Sequence, residues 1–247
     1  TLISGRRTPL LGIGAGLVAG GVRLASAGLL PRRTWLPVAA AVAILVIATL
    51  PVTSRFVAAT IDEYLPSREL VGELLSPDPD PAALRYMQPR VGLTIGSVAI
   101  ARDEIPLGAG IGSFGSHMSS EIYSPIYARY GMDQKNGIKP EAPIAVTDTF
   151  WPMILGETGV IGLLGALAFF GALAVQLWRA VAVASTPALR AFVLGALLVY
   201  VEGLVRTLTS PAFVAPPIAY FILATAGLAI AATRPAIANA TRGDVPG

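Results

Sequence analysis

Cysteine is absent from the 247-residue chain, which excludes a disulfide framework, a thiolate metal centre and a cysteine nucleophile. There is one histidine, and no cluster of ligand residues surrounds it, so no metal site is legible. Charge is scarce as well. Asp, Glu, Lys and Arg make up 13% of the chain, about half the share a soluble domain carries. With 54% hydrophobic residues, 26 Gly and 20 Pro, that shortage excludes a water-soluble enzyme, a coiled coil and a disordered tail. The pI near 9.4 does not indicate nucleic acid, because the 16 Arg and 2 Lys are scattered singly or in pairs with no basic stripe. The sequence opens at Thr1 without an initiator Met or the features of a signal peptide. It reads as a piece of a longer membrane protein.

What is present is a set of five apolar stretches, at about Pro9–Leu30, Leu36–Val52, Phe150–Trp178, Ala188–Val205 and Ala212–Ala232. About 20 apolar residues cross a bilayer, so the last four qualify on length. The first qualifies only if Arg23 snorkels or faces protein. The fold expected is all-α: a polytopic transmembrane helix bundle with a large extracytoplasmic loop containing short amphipathic helices. The expected divisions are 1–53 (two transmembrane helices), 54–148 (the external segment), 149–233 (three transmembrane helices) and 234–247 (a cytoplasmic tail).

The charges support that sidedness. Twelve of the fifteen acids and eight of the eighteen bases fall between Ser54 and Asp148, leaving the segment at −4 and the rest at +7. Arg32, Arg33, Arg179, Arg190, Arg234 and Arg242 follow or separate spans on what alternation makes one side, the cytoplasmic one. Within the external segment the spacing predicts helices over Tyr64–Leu75, from Asp80 and Pro81, and from Arg90 to about Arg102, the last suited to a membrane interface. The stretch LGAGIGSFGSHMSS (107–120) reads as a Gly/Ser turn, and YSPIYARYG follows with three interfacial tyrosines.

Several residues admit two readings. GIGSFG (110–115) follows no strand, so it is a turn approaching another backbone rather than a phosphate loop. His117 is either a solvated side chain or a base. Asp148, with Pro152 in the next turn, has the form of an N-cap. Glu157, deep in the third apolar stretch, needs a partner. Glu202 and Arg206, at i and i+4, are spaced as an ion pair. Arg6 and Arg7 break the charge bias on the external side and suit a polyanionic ligand such as a diphosphate.

Taken together, S-G-R-R-T-P-L-L (4–11), R-x-G-x-x-x-G-x-x-x-x-x-R-x-x-x-P-L-G-A-G-I-G-S-F (90–114) and D-T-F-W-P-M-I-L-G-E-T-G-V-I-G (148–162) resemble motifs of the O-antigen ligase and O-antigen polymerase superfamily. The resemblance covers nearly the whole chain, as the C-terminal half of such a protein. It implies an enzyme that transfers or polymerises glycan from an undecaprenyl-diphosphate donor to a glycan or lipid acceptor. The site would face outward from a multi-pass protein of the bacterial cytoplasmic membrane. No cofactor or metal is implied, and the anomeric centre inverts. Arg7 and Arg90 match the arginines that hold the diphosphate. Glu157 matches an orienting glutamate, and Arg102, Arg206, Glu202 and His117 fall in supporting positions. Asp148 stands where the superfamily usually has a histidine base, with a reference pKa of about 3.9 rather than about 6.5. That departure favours a polymerase or a less standard transferase over a ligase, and leaves His117 or Glu121 as alternative bases. Two other classes remain: a transporter or channel subunit using Arg23, Glu157, Glu202 and Arg206, and a membrane scaffold whose external segment binds a partner.

Overall fold

The computed structural model describes residues 8–26, 89–208 and 210–242. The expected second span and the expected helices at Tyr64–Leu75 and from Asp80 lie outside them, as do Arg6 and Arg7. Every described element is helical: α1 (Thr8–Ser26), α2 (Pro89–Asp103), α3 (His117–Glu121), α4 (Ile126–Arg129), α5 (Trp151–Val183), α6 (Pro187–Arg206) and α7 (Ile218–Arg242). Among the described residues there is no strand. Two helices, α5 and α6, are long and apolar enough to cross a membrane. The chain divides into two compact units, residues 50–167 and residues 1–49 with 168–247. The first unit thus takes in the opening half of α5 as well as the acidic segment.

In the unit formed by 1–49 and 168–247, α1 and α7 both pack on α6. Small residues permit the first contact. A Cβ on Gly16 would lie 3.1 Å from the Leu198 carbonyl oxygen, and one on Gly20 would lie 2.9 Å from Leu198 Cδ2. Glycines four apart are how apolar helices approach closely where no water drives them together. Arg23 faces protein: its Nε donates to the Trp178 carbonyl at 2.6 Å, and its guanidinium lies 5.2 Å from the Trp178 ring centre. Tyr200 donates to the Phe170 carbonyl at 2.6 Å, beside a ring cluster with Phe213. Thr186 caps α6, accepting from Leu189 N at 3.2 Å with Pro187 in the first turn. The last helix starts at Ile218 rather than Ala212, because Pro211, Pro216 and Pro217 withhold the donors a helix needs there. It then continues to Arg242, through the segment expected as a tail.

In the unit spanning 50–167, Leu93 and Ile100 of α2 meet Phe114, Tyr127, Met132, Ile138 and Val146 in one buried cluster. Fully burying side chains of this size contributes ~1.5–3 kcal/mol each. The apolar side of α2, expected at a membrane interface, is therefore largely turned to protein. Tyr127 adds a polar clasp: its hydroxyl accepts from Gly115 N at 2.9 Å and shares a hydrogen bond with Ser119 Oγ at 2.8 Å. Helix α5 is interrupted at Gly159, whose φ of 62° and ψ of −161° are not helical.

Candidate functional site

The first turn of α2 carries Arg90 directly after Pro89, a residue suited to a helix start because it has no N–H to leave unpaired. Pro89 packs on Gly137, where a Cβ would lie 3.2 Å from Pro89 Cγ. Ala145 N donates to the Gly137 carbonyl at 2.9 Å, and Asp148 N to the Ala145 carbonyl at 3.2 Å. This closed loop delivers Asp148 to the start of α2. There Arg90 Nη2 and Asp148 Oδ2 lie 3.4 Å apart, with 30% and 45% of the two side chains exposed. A tight guanidinium–carboxylate bond is about 2.7–2.9 Å, and exposed pairs stabilise by only ~0–1 kcal/mol. The two groups are thus adjacent and accessible to solvent. Beside them the Thr149 hydroxyl is buried without a hydrogen-bond partner.

Asp148 is not an N-cap. Helix α5 begins at Trp151, its first turn closed by Ile154 N on the Phe150 carbonyl at 3.1 Å, and the Asp148 carboxylate turns to Arg90 instead. A third ionisable group, from the loop, packs against this end of α2. Lys135 is buried, its Nζ 3.1 Å from where a Cβ on Gly92 would stand. Burial lowers its pKa from 10.5 to about 8. Arg90, accessible, and Lys135, buried, thus both lie by the first turn of α2, near the positive end of its dipole.

Glu157 has a positioning role. Its Oε1 accepts from the backbone N of Phe114 at 3.1 Å, and Phe114 is fully buried. The turn and the helix are stitched together around that bond: Ala109 N donates to the Gly156 carbonyl and Gly110 N to the Glu157 carbonyl, both at 2.9 Å. Ile161 N donates back to the Pro106 carbonyl at 3.4 Å. The two glycine-rich motifs, PLGAGIGSF and GETG, are one object in space. Replacing Glu157 by Ala leaves the Phe114 N–H buried without its acceptor and is expected to destabilise by about 1–3 kcal/mol. Glu157→Gln keeps an oxygen there, so its denaturation midpoint should stay much closer to that of the parent protein.

Of the remaining expected residues, Arg102 pairs with its neighbour Asp103 at 3.1 Å, at the opposite end of α2 from Arg90. His117 is exposed and pairs with Glu121 at 3.2 Å. In the other unit Glu202 and Arg206 form an ion pair at 2.8 Å. Sequence reasoning missed Lys135 and the interruption of α5. The signal for the interruption was Gly156 and Gly159 flanking Glu157 opposite a second run of glycines. Compared with protein families, curated proteins and solved structures, the chain matches none. The chemistry is therefore read from the residues themselves.

Lys135 gives a test of this environment. Between pH of about 8 and 10.5 the unfolded chain holds the Lys135 proton and the folded one releases it, so stability should rise with pH across that window. The full effect is ~3 kcal/mol. Above pH 10 the trend reverses, because burial and the nearby Asp133 carboxylate push the Tyr123 hydroxyl up to about 12, and the folded state then holds the extra proton. Melting temperatures in detergent should therefore climb from pH 8 toward pH 10 and fall beyond it. Lys135→Met should flatten the climb and leave the fall.

Proposed function

We propose that this chain is the C-terminal part of an integral-membrane glycosyltransferase that transfers or polymerises glycan from undecaprenyl-diphosphate donors. The observation that carries the reading is the accessible Arg90–Asp148 pair at 3.4 Å, a fixed cation beside a carboxylate. The donor diphosphate takes over the Arg90 guanidinium, which leaves Asp148 free to accept the proton of an acceptor hydroxyl. That oxygen attacks the anomeric carbon as its bond to the diphosphate breaks. Arg90 meets the negative charge that develops on the leaving group. The resemblance of residues 90–114 and 148–162 to the O-antigen ligase and polymerase superfamily supports the same assignment. It also supplies the inverting, metal-independent course and adds Arg7 as a second diphosphate ligand.

In this reading α5 and α6 belong to a polytopic bundle in the bacterial cytoplasmic membrane. Arg179 and Arg190 flank the turn between them, which supports a cytoplasmic turn and, with it, an external start of α5 and Asp148. The charges that a transport pathway would use are engaged structurally: Arg23 on Trp178, Glu157 on Phe114 and Glu202 on Arg206. The test is incubation of the full-length protein in proteoliposomes with undecaprenyl-diphosphate-linked glycan, with and without chelator. Longer lipid-linked chains identify a polymerase, and glycan on a distinct acceptor identifies a ligase. Failure to release undecaprenyl diphosphate under either condition rejects the proposal.

A further inference from the structure

The turn that leads into the interruption of α5 carries large aliphatic side chains that lie exposed. Ile105, Leu107 and Ile111 are 68%, 65% and 89% exposed. No charged residue occurs from Ile105 to Ser116. Hydrogen bonds to Gly156, Glu157 and Ile161 hold this turn against α5. Immediately beyond those bonds Val160, Ile161 and Leu164 expose an apolar face of the helix. The charge-free run of α5 extends from Thr158 to Trp178, about the 20 residues needed to cross hydrocarbon. The interruption and its docked turn therefore fall at the end of the span.

We infer that residues 105–112 form a membrane-inserted wedge, with Ile105, Leu107 and Ile111 sunk into the headgroup–acyl boundary beside α5 and in contact with bilayer lipid. Irregular backbone away from water needs its donors satisfied, and part of this turn's are. Gly108 N donates to the Glu104 carbonyl at 2.9 Å, Ala109 N and Gly110 N donate to α5, and Ser113 N donates to the Gly110 carbonyl at 3.2 Å. Charges resume on both flanks and are paired there: Arg102 with Asp103, Arg129 with Glu104, and His117 with Glu121. They mark where water begins. The occupant is lipid rather than a protein partner, because the patch continues onto the apolar face of the helix that crosses the membrane. The inference rests on α5 spanning the bilayer and is independent of the reaction proposed above.

A chain without cysteine suits the test. Single-cysteine variants Ile111→Cys, Leu107→Cys, Leu164→Cys and Asn136→Cys are labelled with an environment-sensitive fluorophore and reconstituted into phosphatidylcholine vesicles with or without brominated acyl chains. Ile105→Cys replaces either turn variant that fails to purify folded. The expected result is blue-shifted emission from Ile111→Cys and Leu107→Cys, with strong quenching by brominated lipid as for Leu164→Cys, while the exposed Asn136→Cys is unquenched. Turn positions that behave like Asn136→Cys overturn the wedge. So does a blue shift without bromine quenching, since that signifies cover by protein. An unquenched Leu164→Cys removes the span on which the inference stands.

Discussion

Replacing Arg90 by Ala is expected, on the reaction proposed above, to lower the turnover of lipid-linked glycan about 10²–10³-fold, the usual cost of removing one preorganised group that meets transition-state charge. The protein should still fold, because a partly exposed ion pair at 3.4 Å stabilises by less than ~1 kcal/mol. Lysine at this position restores the charge but not the planar two-point contact with phosphate oxygens, so Arg90→Lys should fall between the parent and Arg90→Ala. Asp148→Asn is expected to lower turnover by about 10²–10⁴, the range for loss of a general base. Its donor affinity should hold or rise, because the variant keeps Arg90 and removes a carboxylate that competes with the diphosphate. Binding and turnover are measured on the same proteoliposomes. Full turnover in both Arg90→Ala and Asp148→Asn, at normal expression, would remove this pair from the reaction.

The second large effect concerns Gly159. Its φ of 62° and ψ of −161° lie in a region that side chains exclude at about 1–3 kcal/mol. A Cβ there would also overlap the Pro106 carbonyl oxygen and stand 2.6 Å from Gly108 N and 2.7 Å from the Leu107 carbonyl carbon. None of these atoms is the end of a flexible side chain. Gly159→Ala is expected to expel the turn from the helix, at a cost that is a large fraction of the ~5–15 kcal/mol by which proteins are stable. The readouts are amide exchange at Ala109 and Gly110, which should become fast, and proteolysis within residues 106–115. Gly165→Ala is the control on the same helix: a Cβ there meets nothing within 4 Å, and the change should be tolerated or mildly stabilising, by up to ~1 kcal/mol of helix propensity.

Much of the local architecture was legible because it follows from short-range rules. The helix expected over 90–102 spans Pro89–Asp103, and the fourth apolar stretch, 188–205, became Pro187–Arg206. Pro at each start and apolar spacing suffice for both. The Gly/Ser turn was visible in the same way as far as Ser116, but His117–Ser120, expected within it, open a short helix that Ser116 caps. What local rules did not contain was who faces whom. Asp148 read as an N-cap because its carboxylate stands close to a helix start; its partner Arg90 is 58 residues away. Arg23 read as a liability in an apolar stretch, and its acceptor on Trp178 lies 155 residues on. The interruption in α5 was hidden because GETG within an apolar run is compatible with continuous helix. Only the arrival of a second backbone makes the broken form the stable one. Lys135 was overlooked because burial of a lone lysine leaves no periodic trace.

The exchange of hydrogen bonds at the interruption also orders biogenesis. The carbonyls of Gly156 and Glu157 and the amide of Ile161 are completed by residues 106–110, which are made earlier than the helix they complete. When the apolar half of α5 is made, the turn that completes its backbone is already synthesised, so the helix can form with its backbone deficit filled rather than waiting for a later segment. Folding of the turn and of the opening of α5 then become one event. A lesion in the turn should appear first as a defect in the folding of α5.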